Sequence, residues 1–224
     1  MMDLGFFGPL VFVAIIFVTT YLYGKWQSIK LQQLAKDKQW GYEEFMGPRT
    51  IEFYRDIDDL PLFNHGSTLS VDNVLTMDYM GKKLKFFYLG IGAGKSRQTM
   101  AVAAFTNEDW QVPYFRILPK SYVFIPSRQI RGMEKKFVLD NAPHFSKKYT
   151  TWCILPDRTA AFFTPTFIDR LVSQGRLYVE GHGNTILIYK KQALYGPEGT
   201  QDLIDRAKRI LDAIASAYVE DEAL

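Results

Sequence analysis

Cysteine occurs once, at Cys153, histidine only three times, and basic residues outnumber acidic ones by just enough to leave a net charge of +3. Each scarcity excludes something. A single thiol forms no intramolecular disulfide, so nothing here is stapled, and the usage fits a reducing compartment. His65, His144 and His182 stand in neither a His-Glu-x-x-His spacing nor any pattern shared with cysteine, so no metal-ligand set is legible. A charge of +3 over 224 residues is far from the dense basic footprint that nucleic acid demands. Internal repeats and low-complexity tracts are also missing.

One scarcity is local. From Leu4 to Tyr23 there is no charged residue at all. At about 1.5 Å rise per residue, such a run matches a hydrocarbon core about 30 Å thick. Pro9 sits near its start, where a helix tolerates proline. Tyr21, Tyr23 and Trp26 gather at its far end, as an interfacial aromatic belt does. A cleaved signal peptide fits less well: Asp3 replaces the basic leader, and no small-x-small site follows. The expectation is a single-pass anchor over residues 1–24, in contact with membrane lipid through Leu4 to Tyr23. Lys25, Lys30, Lys36 and Lys38 follow the span, and the positive-inside rule then places the C-terminal domain in the cytoplasm, at the inner membrane of a cell.

The composition of the remainder, with 47% hydrophobic and 15% aromatic residues overall, suits a folded domain. Trp26 to Gln39 reads as a helix leaving the membrane, with Ile29, Leu31 and Leu34 apolar, within a linker of residues 25–41 ended by Gly41. The domain itself spans 42–224. Residues 74–79 and 84–89 read as a hairpin around Met80-Gly81-Lys82. Further strands are expected at 99–105, 114–118 and 137–139. Asp157 is expected to cap a short helix through Phe163, and Thr164-Pro165 restarts one, with threonine as cap and proline at the first helical position. Strands at 177–180 and 185–189 join through Gly181-His182-Gly183-Asn184. Thr200 is expected to cap a last helix whose apolar stripe includes Leu203, Ala207, Ile210, Leu211 and Ile214. Strands followed by helix, hairpin and helix predict an α+β class: a mainly antiparallel sheet with C-terminal helices on one face.

Chemistry is hard to find. Gly90-Ile91-Gly92-Ala93-Gly94-Lys95-Ser96 looks like a phosphate loop, but Leu89 stands where the Walker pattern needs its first glycine. Met100 to Phe105 then reads as a strand, whereas a phosphate loop leads into a helix. A glycine-rich hairpin tip is the expectation. Glu180 with His182, and His144 with Ser146, are the pairs that a hydrolase-like enzyme would use, but no Gly-x-Ser-x-Gly elbow accompanies them. Cys153, between Trp152 and Ile154, reads as core. No catalytic, cofactor-binding or metal-binding residue is assigned, and no cofactor is expected. The contact candidates for lipid or an acidic partner are Lys25, Trp26 and Lys30 beside the span, and Arg116, Lys120, Arg128, Arg131, Lys135 and Lys136 if they share a face.

Three phrases occur together: Leu34-Ala35 to Trp40-Gly41-Tyr42, Pro143-His144-Phe145-Ser146 and Leu177-Tyr178-Val179-Glu180. In these the chain resembles uncharacterised bacterial single-pass membrane proteins carrying a domain of unknown function. The resemblance implies a tethered bacterial domain and no particular activity. The function expected is a non-enzymatic accessory or binding subunit, docked through its cytoplasmic domain on a larger membrane protein complex. The alternatives are a membrane-anchored enzyme and a lipid- or ligand-sensing domain with an apolar cavity.

Overall fold

The computed structural model describes residues 7–46, 60–63, 69–92, 97–120, 135–191 and 196–221. Helix α1 runs unbroken from Phe7 to Asp37. It is followed by strands β1 (Gly41–Met46), β2 (Leu69–Tyr79), β3 (Lys82–Ile91), β4 (Gln98–Thr106), β5 (Val112–Pro119) and β6 (Lys135–Phe137). Then come helix α2 (Pro143–Lys148), strand β7 (Tyr149–Cys153), and helices α3 (Pro156–Phe162) and α4 (Pro165–Ser173). Strands β8 (Tyr178–Gly183) and β9 (Thr185–Lys191) precede the last helix, α5 (Pro197–Asp221). The nine strands form one sheet in the order β1-β2-β3-β4-β9-β8-β5-β7-β6, with every neighbouring pair antiparallel.

Local chemistry explains most of these elements. Tyr79 pairs with Lys82 across a two-residue turn in which Met80 and Gly81 both have positive φ, 53° and 71°. That is the turn whose twist matches a hairpin. Thr164 caps α4 by accepting a hydrogen bond from the Phe167 amide at 3.2 Å, and Pro165 fills the first turn. The β8–β9 turn is tighter than its glycines suggest. His182 still pairs with Thr185, leaving Gly183 and Asn184 at the turn, with Gly183 at φ 62°. Helix α5 starts at Pro197, so Thr200 lies inside it and is not its cap. The Thr200 hydroxyl is buried instead, 2.7 Å from the Tyr88 hydroxyl, and bolts α5 to β3.

The described helices pack on one face of the sheet. Leu31 and Ala35 of α1, Phe145 of α2, Phe167 and Leu171 of α4, and Leu203, Ile210 and Leu211 of α5 share one core with Phe86, Phe105, Phe115 and Val179 of the strands. The other face carries a second apolar layer. There Leu60, Leu62 and Phe63 lie over Val71, Phe87, Leu89, Val102, Leu187 and Tyr189. Sheets buried on both faces show long apolar runs, and β3 is buried without a break from Phe86 to Ile91. Cys153 is fully buried in the helix-side core, as expected of a packing cysteine.

Candidate functional site

Helix α1 is built into the domain. Gln27, Leu31 and Ala35, each four residues apart, face inward and are buried. Leu34 is half-buried, while Ile29 is 61% exposed and does not belong to the inward stripe. Tyr42 on β1 ties the helix down: its hydroxyl donates to Asn73 Oδ1 at 2.8 Å, with the Ser28 carbonyl at 3.3 Å. Burial pushes the Tyr42 phenol above its ordinary pKa. At the other end Gln39 takes a left-handed conformation, φ 57°, and the Trp40 amide bonds back to the Ala35 carbonyl. Lys208 of α5 then lies over the Trp40 and Tyr79 rings.

The N-terminal half of α1 behaves differently. Val11, Phe12, Val13, Ile15, Ile16, Val18, Tyr21, Leu22 and Tyr23 are all about half exposed or more. At 100° per residue these positions surround the helix rather than mark one stripe. Among the described residues, no helix is long and apolar enough to cross a membrane. The apolar run itself begins at Leu4, before the first described residue, Phe7. Where the apolar half meets the domain, Lys30 Nζ sits 3.5 Å from the Trp26 ring centroid and Lys25 Nζ 5.7 Å from that of Tyr21.

Among the described residues, the basic side chains between Arg116 and Lys136 do not share one face. Arg116 is a correction to the sequence-based expectation: its side chain is 3% exposed and cannot meet a lipid or partner surface. It stands on β5 opposite Glu180 of β8, with Nε 3.7 Å from Glu180 Oε1. The Glu180 carboxylate also accepts from the Tyr189 hydroxyl at 2.7 Å and from the Leu62 amide at 2.9 Å. One buried carboxylate therefore joins β5, β8 and β9 to the segment covering the second face. Burial and the neighbouring Glu180 charge push the Tyr189 phenol well above its ordinary pKa. Lys135 and Lys136 are exposed on edge strand β6, on opposite faces because they are adjacent in a strand. Arg128 and Arg131 lie outside the described residues.

Lys120 has company that the sequence did not reveal. It leaves β5 at the rim of a cleft of about 400 Å³ that Lys147, Lys148 and Arg176 also line. Lys147 and Lys148 end α2, and Arg176 follows α4. The floor is Tyr149, whose hydroxyl donates to the Gly175 carbonyl. Burial pushes that phenol up to about 12.

The hydrolase-like pairs take other positions. Glu180 is sealed against Arg116, while His182 is exposed and packs edge-on to Tyr114, with centroids 5.7 Å apart. His144 Nε2 lies 3.0 Å from Asp169 Oδ1 at the surface, and Ser146 Oγ donates to the Leu139 carbonyl at 3.2 Å, away from His144. The glycine-rich run leaves β3 after Ile91 and re-enters the sheet as β4, with residues 93–96 outside the described ones. It links two antiparallel strands and does not open a helix.

The fold is shared with a mycobacterial transport factor. The crystal structure of trehalose monomycolate transport factor A, TtfA, superimposes with a TM-score of 0.55 over 84% of this chain and 95% of that chain. Sequence identity is 9%, so the likeness is one of fold alone. No protein-family model and no curated protein matches the chain.

Proposed function

We propose that this chain is a membrane-tethered, non-enzymatic accessory subunit of bacteria, which docks a cytoplasmic α+β domain on a larger membrane protein complex. One observation carries the tether. A single helix is packed into the domain through Gln27, Leu31 and Ala35, yet between Val11 and Tyr23 its described apolar side chains are exposed and lie all round its axis. A helix that is hydrophobic all round is at home only in a core or a bilayer. This one has no protein against that half among the described residues, and lipid from Leu4 onward supplies the missing environment. The lysine and tyrosine or tryptophan pairs at its domain end suit the headgroup layer. Lys25, Lys30, Lys36 and Lys38 favour a cytoplasmic domain.

The continuous helix also sets how the domain is held. Because α1 enters the core without a flexible joint, the domain's orientation to the bilayer is fixed rather than free. A fixed, tethered domain meets membrane partners at high effective concentration, so a weak interface suffices. The fold shared with a transport factor supports an accessory role. Solubilisation in mild detergent followed by sedimentation and identification of co-purifying proteins tests the proposal. A defined membrane complex containing the chain is expected. Migration as a lone monomer in every mild detergent contradicts the docking half of the reading.

A further inference from the structure

We infer that the cleft between the end of β5, the end of α2 and the turn after α4 binds a phosphate-bearing anion through Lys120, Lys147, Lys148 and Arg176. Four cations from three separate stretches of chain converge on one concavity of about 400 Å³, and among the described residues none that lines it is acidic. That volume lies within the range of small-ligand sites. Among the described residues no carboxylate pairs with Lys120, Lys147 or Lys148. Gathering like charges in a concavity raises its potential and concentrates an anion there.

The walls are held in place before any ligand arrives. The Lys120 amide donates to the Lys148 carbonyl at 2.9 Å, which locks the end of β5 to the end of α2. The Tyr149 hydroxyl, donating to Gly175, locks the start of β7 to the turn that carries Arg176. Flexible side chains thus project from a rigid rim. Three ammonium groups serve as mobile point charges, and the guanidinium offers a planar fork suited to two phosphate oxygens. Cations at the end of α2 also suit the helix carbonyls, which accounts for Lys147 and Lys148 at most. Lys120 and Arg176 come from a strand end and a turn, so helix chemistry leaves half of the cluster unexplained. This inference stands apart from the docking reading, since a cleft can bind its anion whether or not the domain docks on a complex.

The phosphate can belong to a soluble compound or to a lipid headgroup, and the test separates them. The full-length chain in non-ionic detergent is titrated calorimetrically with inorganic pyrophosphate, dihexanoyl phosphatidate and, as control, dihexanoyl phosphatidylcholine. Saturable pyrophosphate binding is expected, weakened by about tenfold or more in a Lys120→Gln, Lys147→Gln, Lys148→Gln, Arg176→Gln variant. All four side chains are exposed, so the melting temperature should hold. A control variant, Lys36→Gln, Lys38→Gln, Lys83→Gln, should bind as wild type does. Phosphatidate competing with pyrophosphate while phosphatidylcholine does not supports a lipid headgroup as the source. Pyrophosphate binding that neither lipid displaces supports a soluble one. No saturable binding of pyrophosphate, or equal loss in the cleft and control variants, overturns the inference.

Discussion

Replacing Arg116 by methionine tests the buried polar centre of the sheet. Methionine keeps much of the arginine stem's apolar bulk but leaves the Glu180 carboxylate, wholly buried, without its cation. At an effective dielectric constant of about 20, unit charges about 4 Å apart attract by about 4 kcal/mol. Desolvation offsets much of that gain while both partners are present, so the intact pair need not stabilise strongly. Removing one partner is different, because the stranded charge keeps its desolvation cost, and a loss of about 3–5 kcal/mol is expected. The remaining Glu180 bonds, from Leu62 and Tyr189, persist and keep the carboxylate in place. Adding Glu180→Gln removes the stranded charge while its amide oxygen still accepts a bond. The double variant should therefore regain at least about half of the lost stability. Urea denaturation of the full-length chain in mild detergent, followed by tryptophan fluorescence, gives the midpoints; Trp152 on β7 lies beside Arg116 in register. An Arg116→Met midpoint equal to wild type, or a double variant no better than the single one, would refute the reasoning.

Other substitutions probe the joints. Leu31→Ala should cost about 2–5 kcal/mol in the same denaturation, because the side chain is 1% exposed between α1 and the core; an unchanged midpoint would mean that α1 only spaces the domain. In Gly181→Ala the new methyl would stand 2.5 Å from Phe115 Cε1 and 2.6 Å from Val112 Cγ1, so a loss of about 1–3 kcal/mol is expected, and wild-type stability would show that β5 yields easily. Alkali should destabilise the chain: Tyr149, raised to about 12 in the fold, contributes stability that is complete below the unfolded value of about 10 and lost as pH rises through the folded one. Tyr149→Phe should therefore flatten the fall in melting temperature between about pH 10 and 12, and an unchanged slope would show that its phenol ionises freely in the fold.

Local chemistry was legible in the sequence where one residue decides the structure. Met80-Gly81 made the β2–β3 hairpin visible, Thr164-Pro165 made α4 visible, and a long stripe through Ile210 and Leu211 made α5 visible. Strand β1 is not legible because its adjacent Glu43 and Glu44 break the alternation and its partner β2 starts far along the chain. Strand β7 leaves no such signal either: its buried positions are Tyr149, Thr151 and Cys153, with Thr150 and Trp152 half-buried between them. A polar threonine turned inward beside a half-buried tryptophan hides the period of two. Arg116 reads as a surface cation in the sequence because the residue that accounts for it, Glu180, becomes its neighbour only when β8 pairs with β5. The basic cleft was invisible for the same reason: Lys120, Lys147 and Arg176 are brought together by strand order, which no local pattern encodes.

The tether is the claim on which the rest of the account depends, and washing isolated membranes in alkaline sodium carbonate tests it most directly. Carbonate strips proteins held by charge or by docking and leaves those inserted through an apolar helix. The account predicts that the full-length chain stays in the membrane pellet, and that a variant with Val13, Ile16 and Val18 each changed to aspartate moves to the supernatant. Release of the wild-type chain by carbonate would contradict it.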